Sequence, residues 1–209
     1  MKGLSELGYA KIYRKGMPDI MDFIEKYSKE IQIKFSILSK KEKRILAIMC
    51  LERQLKAYEK FALGKNWNRA NEYREMFDIC WNSILNDKNV DESIWEFHEN
   101  IKPEIVNKII DEYKEQEFCY ANIFSTNVME FLENLLDDNG NEIGFLLLNL
   151  DFIICFLNNN KDTYVIEEYE NDELIMFEIK MQQLDEMKLK KIVCLNDVKK
   201  WIDECKSLI

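Results

Sequence analysis

The chain has 209 residues, of which 47% are hydrophobic, and its net charge is −10 from 39 acidic and 29 basic residues. This balance argues against binding to nucleic acid, which requires an excess of Lys and Arg, and favours a basic partner. Six Gly and two Pro are too few for the turns of a β-sandwich or barrel. We therefore predict an all-α fold: a single compact domain over residues 1–209 with about eight or nine helices, short connections and a minor seam near residues 86–90.

Six cysteines and one apolar run indicate the compartment. The cysteines form no CxxC pair and no secretory signal precedes them, so we expect free thiols in a reducing cytoplasm. Residues 143–157 are apolar nearly throughout, but a membrane helix needs about 20 such residues, and this run contains Asp151. We expect residues 143–157 to form the most buried helix of a protein that does not enter membranes. Asp151 then needs hydrogen-bonding or charged partners.

Capping and proline signals predict three helices in the first part of the chain. Pro18 suits the first turn of a helix that reaches about residue 36. Ser39 and Glu42 have capping-box spacing, which predicts a second helix as far as about residue 64. A third helix is expected to begin near residues 67–69 and to end near residue 85. The second helix carries one apolar stripe at helical spacing, formed by Ile48, Leu51, Leu55, Tyr58 and Ala62.

The later helices are predicted from the same signals. Asp91 is expected to cap a short helix, and Pro103 is expected to begin another. A long helix is predicted from about residue 172 to about residue 191. The last helix is expected to have Asn196 or Asp197 as its cap.

The charged residues of the second helix are interpreted from its apolar stripe. Glu52 is predicted at the edge of the stripe, while Arg53 points more nearly outward. Four cations occupy the first turn, where positive charge is mildly unfavourable, so we interpret them as a solvated face. They are Lys40, Lys41, Lys43 and Arg44.

No recognisable catalytic or metal-binding motif occurs in the sequence. His98 is the single histidine, whereas a catalytic zinc site needs several His or Cys ligands and a helical di-iron site needs two Glu-x-x-His motifs. A Gly-rich phosphate loop and a GxSxG elbow are also missing. We therefore predict no enzymatic activity, catalytic residue, metal or cofactor. The alternative of a carboxylate-dependent enzyme would require a pocket lined by acids such as Glu52 and Asp151.

The densest acidic segment, residues 167–173, has two interpretations. It is either a solvated loop that leads into a helix, whose N-terminus favours negative charge, or a recognition patch for a basic protein. In the second interpretation its acids face the partner. These candidate partner-binding residues are Glu167, Glu168, Glu170, Asp172 and Glu173.

A pattern of six residues runs along the second and third helices, namely Cys50, Glu52, Arg53, Tyr58, Phe61 and Trp81. This order of a Cys, a Glu-Arg pair, a Tyr and a Phe on one helix, then a helix that ends near a Trp, resembles the YjaG-like family of all-helical bacterial proteins. Residues 178–182 are similar to a late helix of such proteins that bears Glu and Gln. The resemblance implies that these residues belong to the helical scaffold.

Related-looking helical proteins are found among the immunity proteins of bacterial polymorphic-toxin systems. The resemblance therefore implies a cytoplasmic protein that binds and neutralises a cognate toxin domain without catalysing a reaction. A basic toxin would meet complementary charge on this acidic protein. The alternative is a structural or regulatory helical protein that acts through another protein partner or as a homodimer.

Overall fold

The structure, a computed structural model, describes residues 18–65, 69–88, 92–111, 116–136 and 172–204. These ranges contain seven α-helices, one short 3₁₀ turn and no strand, which confirms the predicted all-α fold. The helices are α1 (Pro18–Phe35), α2 (Lys40–Lys65), α3 (Ala70–Asn86), α4 (Glu92–Asp111), α5 (Gln116–Leu136), α6 (Glu173–Lys188) and α7 (Leu195–Glu204), with the 3₁₀ turn (Leu189–Lys191) between α6 and α7. The helix predicted over residues 143–157, including Asp151, lies outside the described residues.

The capping box at the start of α2 is confirmed. The main-chain N–H of Ser39 donates to Glu42 Oε2 at 2.8 Å, and the N–H of Glu42 donates to Ser39 Oγ at 3.3 Å. Two main-chain donors that have no partner within the helix are satisfied in this way. The bounds of α1, α2 and α3 agree with those predicted from the sequence to within a few residues.

Two predicted helix starts are wrong. Helix α4 runs without a break through Pro103. Ile94 and Ile101, two helical turns apart, are both buried in the core, so tertiary packing holds the part of the helix that precedes the proline. Helix α7 begins at Leu195, before Asn196 and Asp197. Cys194 precedes its first turn, and Asp197 Oδ2 reaches back to accept the N–H groups of Val193 and Cys194, each at 3.1 Å. Asp197 therefore acts as the acid of a capping box rather than as the cap.

Helix α2 is the centre of the described fold. It packs against α3, α5, α6 and the 3₁₀ turn, and all eleven side chains from Ile45 to Leu55 are buried. The prediction of a single apolar stripe on α2 is therefore wrong for this part of the helix. Three neighbouring helices cover it from different sides, so it is buried around its whole circumference.

The cations of α2 close the C-terminal ends of its neighbours. Lys41 Nζ donates to the carbonyl of Leu85 in α3 at 2.6 Å, and Arg44 Nη2 donates to the carbonyl of Asn134 in α5 at 3.5 Å. Lys56 Nζ donates to the carbonyl of Ile202 in α7. Carbonyls in the last turn of a helix have no partner within the helix, and the helix dipole favours a cation there. The interpretation of Lys41 and Arg44 as a solvated face is therefore wrong.

Replacing Lys41 with Met should lower the free energy of unfolding by about 1 kcal/mol, because the last carbonyls of α3 lose a charged donor. The measurement is urea unfolding followed by far-UV circular dichroism. Lys29→Met is the matched control, since Lys29 pairs with Glu25 on an exposed face of α1, and we expect its midpoint to equal that of the wild type. Equal midpoints for all three chains would contradict the capping role of Lys41.

Candidate functional site

Two consecutive residues of α2, Glu52 and Arg53, form the centre of the candidate site. Both side chains have 0% exposure, although the sequence predicted Glu52 at the edge of a stripe and Arg53 pointing outward. Consecutive helical residues are about 100° apart, so the two side chains reach different neighbours. Glu52 reaches α3 and Arg53 reaches α6. The predicted orientation of Arg53 is wrong because α6 covers the side of α2 that was expected to face solvent.

The guanidinium of Arg53 uses all five of its N–H donors within the protein. Nε and Nη2 donate to the two carboxylate oxygens of Glu178 at 2.8 and 2.7 Å, and Nη1 donates to Asp185 Oδ2 at 2.5 Å. The remaining contacts are to the carbonyl of Met49 and to Sγ of Cys50, both at 3.4 Å. The planar, bidentate pairing with Glu178 sets the position of α6 on α2.

Three polar residues of α6 lie on the face that meets Arg53. Glu178, Gln182 and Asp185 are separated by four and three residues, which places them on one side of a helix, and all three are buried. Gln182 Nε2 donates to Glu178 Oε1 at 2.9 Å, and the hydroxyl of Tyr27 in α1 donates to Gln182 Oε1 at 2.9 Å. This polar network therefore joins α1, α2 and α6.

Glu52 organises a different side of α2, about 100° away from that of Arg53. Its Oε1 accepts the indole N–H of Trp81 at 3.0 Å, and its Oε2 accepts Arg74 Nη1 at 2.5 Å. Arg74 also donates from Nη2 to Glu59 at 3.1 Å, so one guanidinium bridges two carboxylates of α2. These bonds fix α3 on α2.

Two tryptophans join the two halves of the site. The indole N–H of Trp201 in α7 donates to Asp185 Oδ1 at 3.2 Å, as that of Trp81 does to Glu52. The two rings pack at a tilt, with centroids 6.4 Å apart. The Glu52 and Arg53 networks are thereby in contact through an aromatic pair, and α7 is attached to both.

Burial sets the electrostatics of the site. Burial raises the pKa of Asp185 and of Glu52, while the neighbouring guanidinium groups of Arg53 and Arg74, respectively, act in the opposite direction. Burial also raises the pKa of the Cys50 thiol well above its ordinary value, so the thiol stays protonated. Burial opposes the charge of Arg53, but its neighbours, of which Glu178 contributes most and Asp185 also takes part, together outweigh burial and raise the pKa of Arg53. The charges of the site therefore stabilise one another and hold helices together.

The single histidine has a comparable role between α4 and α5. His98 is buried, and its Nε2 lies 3.1 Å from Glu133 Oε1 of α5 while its Nδ1 lies 3.2 Å from Glu99 Oε1. The ring of Trp95 meets the imidazole edge-on at 6.2 Å. The described residues contain no group of three or more His, Cys, Asp or Glu side chains that could hold a metal ion.

The residues singled out in the sequence have different positions. Cys50 and Tyr58 are buried, and the ring of Tyr58 stacks on Phe124 of α5 with centroids 4.8 Å apart. Phe61 lies in α2, but its side chain is not among those described. Asp172 caps α6, where it accepts the N–H of Leu174 at 2.8 Å, and Glu173 is exposed in the first turn. The other candidate partner-binding acids, Glu167, Glu168 and Glu170, lie outside the described residues.

Sequence reasoning missed Asp185, which no motif had singled out. Glu178 and Gln182 had been noted because they resemble residues of a late helix in the YjaG-like family. A usable signal was present, because Glu178, Gln182 and Asp185 share one helical face with the apolar Ile175. Polar residues on the same face as core residues indicate a buried network.

Comparisons with known proteins leave the family open: no family model, curated protein or solved structure matches this chain. The resemblance to the YjaG-like family stays a prediction. In the part of the chain that the structure describes, no helix is long and apolar enough to cross a membrane.

Replacing Arg53 with Met should lower the free energy of unfolding by about 3–5 kcal/mol, because Glu178 and Asp185 would be left buried without their cation. The measurement is equilibrium unfolding in urea. A second chain, in which Arg53, Glu178 and Asp185 become Met, Leu and Leu, removes all three charges together. We expect this triple variant to regain most of the lost stability. A triple variant no more stable than Arg53→Met would show that the unpaired charge is not the cause.

The raised pKa of Glu52 gives a pH dependence of defined sign. Its folded-state pKa lies above the ordinary value of 4.5, so protonation of Glu52 favours the folded state. This contribution to the free energy of unfolding is fully present below pH 4.5. That stability is lost as the pH rises through the folded-state pKa. The stability of the wild type relative to Glu52→Gln should therefore decrease from about pH 4 upward, because Gln does not titrate. Unfolding curves for both chains at several pH values measure this difference, and a constant difference would contradict the assignment.

Proposed function

We propose that this protein is an immunity protein, which binds a cognate bacterial toxin domain in the cytoplasm and neutralises it without catalysing a reaction. The observation that carries the proposal is the complete burial of the Glu52 and Arg53 side chains. Both side chains are fully engaged in joining helices, so the Glu-Arg pair of the resemblance serves the scaffold. Recognition is then left to the outer surface.

Surface charge supports a basic partner. The whole chain carries a net charge of −10, and residues 167–173 contain five acids. Complementary charge raises the rate of association between proteins and disfavours partners of like charge. The exposed Glu173 continues this acidic segment into the first turn of α6, which the buried network holds on α2. A rigid helix end beside an acidic segment is a suitable platform for a basic toxin surface.

Scaffold rigidity is the second support. Polar networks with their donors and acceptors satisfied favour one arrangement of the helices. A preformed surface binds with a smaller loss of conformational entropy than a surface that must order on binding. Stoichiometric inhibition of a toxin requires tight binding, which such a surface favours.

The alternative, a helical protein that acts through another partner or as a homodimer, is favoured by a separate observation. Several large apolar side chains on α6 and just after it are strongly exposed. Exposed apolar surface of this kind is typical of protein–protein contacts.

The test needs a candidate toxin. If the neighbouring gene encodes a secreted protein with a variable C-terminal domain, that domain is the candidate to assay. Association rates and toxin activity are measured for the wild type and for Glu167→Gln, Glu168→Gln and Glu170→Gln combined. We expect association to slow by about tenfold at low salt and its salt dependence to weaken. Adding Asp172→Asn removes a fourth charge and keeps the α6 cap, because Asn and Asp are equivalent at this position.

The matched control replaces three exposed acids elsewhere, Glu30, Glu75 and Glu96, with Gln. It changes the net charge by the same amount and should leave the association rate nearly unchanged. Equal slowing in both triple variants would assign the effect to net charge alone. Absence of binding at micromolar concentration would reject the immunity role for this toxin domain.

A further inference from the structure

One face of α6 is turned away from the buried network. Its exposed residues recur at helical spacing along the whole helix and are half apolar. Met176 is 50% exposed, Leu184 is 37% exposed and Met187 is 73% exposed. We call this surface the α6 outer face; it consists of Glu173, Met176, Lys180, Gln183, Leu184 and Met187.

The two ends of this face carry opposite charges. Glu173 lies in the first turn of α6, while Lys190 and Lys191 are exposed in the 3₁₀ turn that follows the helix. The helix dipole has the same polarity on the protein side, with a positive N-terminus near the acid and a negative C-terminus near the lysines. An antiparallel copy of α6 would therefore bring unlike charges together at both ends.

The order of residues on the face is also self-complementary. In an antiparallel pair with a two-fold axis between residues 181 and 182, Met176 of one copy lies opposite Met187 of the other, and Glu173 lies opposite Lys190. Lys180 lies opposite Gln183. A two-fold interface requires this property, because each contact occurs twice with the roles of the two copies exchanged.

We propose that the α6 outer face is a self-association surface and that its partner is a second copy of this chain, bound antiparallel about the two-fold axis. Methionine side chains at both ends of the apolar strip adapt to each other and are favoured at protein interfaces. The 16 residues of α6 span about 24 Å, which gives a small interface and hence a weak, reversible dimer. The proposal is independent of the toxin partner.

One feature of the face acts against the dimer. The two Lys180 side chains come close to the axis, and like charges there repel. Their long aliphatic stems can cover the neighbouring methionines while the ammonium groups extend to water. This repulsion limits the affinity of the dimer. Removing the charge of Lys180 should therefore strengthen the dimer, whereas the other single substitutions should weaken it.

The test is sedimentation equilibrium of the full chain from about 1 to about 200 µM, where a weak dimer is partly dissociated. The wild type should show a reversible monomer–dimer equilibrium. Met187→Glu should weaken the dimer at least about tenfold, since it places a charge opposite Met176. Lys180→Gln should strengthen the dimer several-fold. Circular dichroism establishes that each variant retains its helix content.

A charge exchange separates the interface from any effect on folding. The exchange is made at Glu173 and Lys190, which the two-fold register places opposite each other. Ser39 and, more weakly, Lys190 lower the pKa of Glu42, so urea unfolding of each variant checks that its monomer remains stable. Glu173→Lys and Lys190→Glu should each weaken the dimer, and the chain with both changes should regain most of its affinity. A monomeric wild type throughout the range would overturn the proposal. So would a dimer that is unaffected by Met187→Glu, or a double variant no better than either single one.

Discussion

The described fold depends on one buried cation. The guanidinium of Arg53 has no access to solvent, and Glu178 and Asp185 of α6 supply its carboxylate partners from 125 and 132 residues further along the chain. Removing such a charge from water costs several kcal/mol, on the order of what a whole domain has in net stability. The folded state tolerates the burial of Arg53 only if α6 lies where its carboxylates accept the N–H donors of the guanidinium. This requirement gives the contact between α2 and α6 a defined register, which apolar packing alone would leave less specific.

Helix α2 extends the same principle to its other neighbours. Glu52 binds Trp81 and Arg74 of α3, while Lys41, Arg44 and Lys56 bind carbonyls in the last turns of α3, α5 and α7. Each of these neighbours thus meets α2 through at least one charged or polar contact. A central helix of this kind determines both where its neighbours lie and where they end.

A division between interior and surface follows from this arrangement. Among the described residues, those that carry the predicted resemblance to the YjaG-like family are buried in the scaffold. The proposed recognition features are the acidic segment that precedes α6 in the sequence and the partly apolar outer face of α6. The same helix therefore has two different faces. Its polar inner face fixes the scaffold, and its partly apolar outer face is available to other proteins. The unusual distribution, with polar residues inside and methionines outside, is the reason why amphipathicity is a poor guide to the orientation of α6.

The sequence by itself determined the local features of this protein. Scarcity of Gly and Pro indicated helices, Ser39 and Glu42 marked the start of α2, and Pro18 marked the start of α1, because capping and proline geometry act over a few residues. Only the tertiary structure decided whether Arg53 was inside or outside and which cations were solvated. Periodicity identifies a buried face when a helix has one neighbour. It cannot do so for α2, whose circumference is covered by helices far away in the chain, and whose charged residues are buried because their partners come from those distant helices.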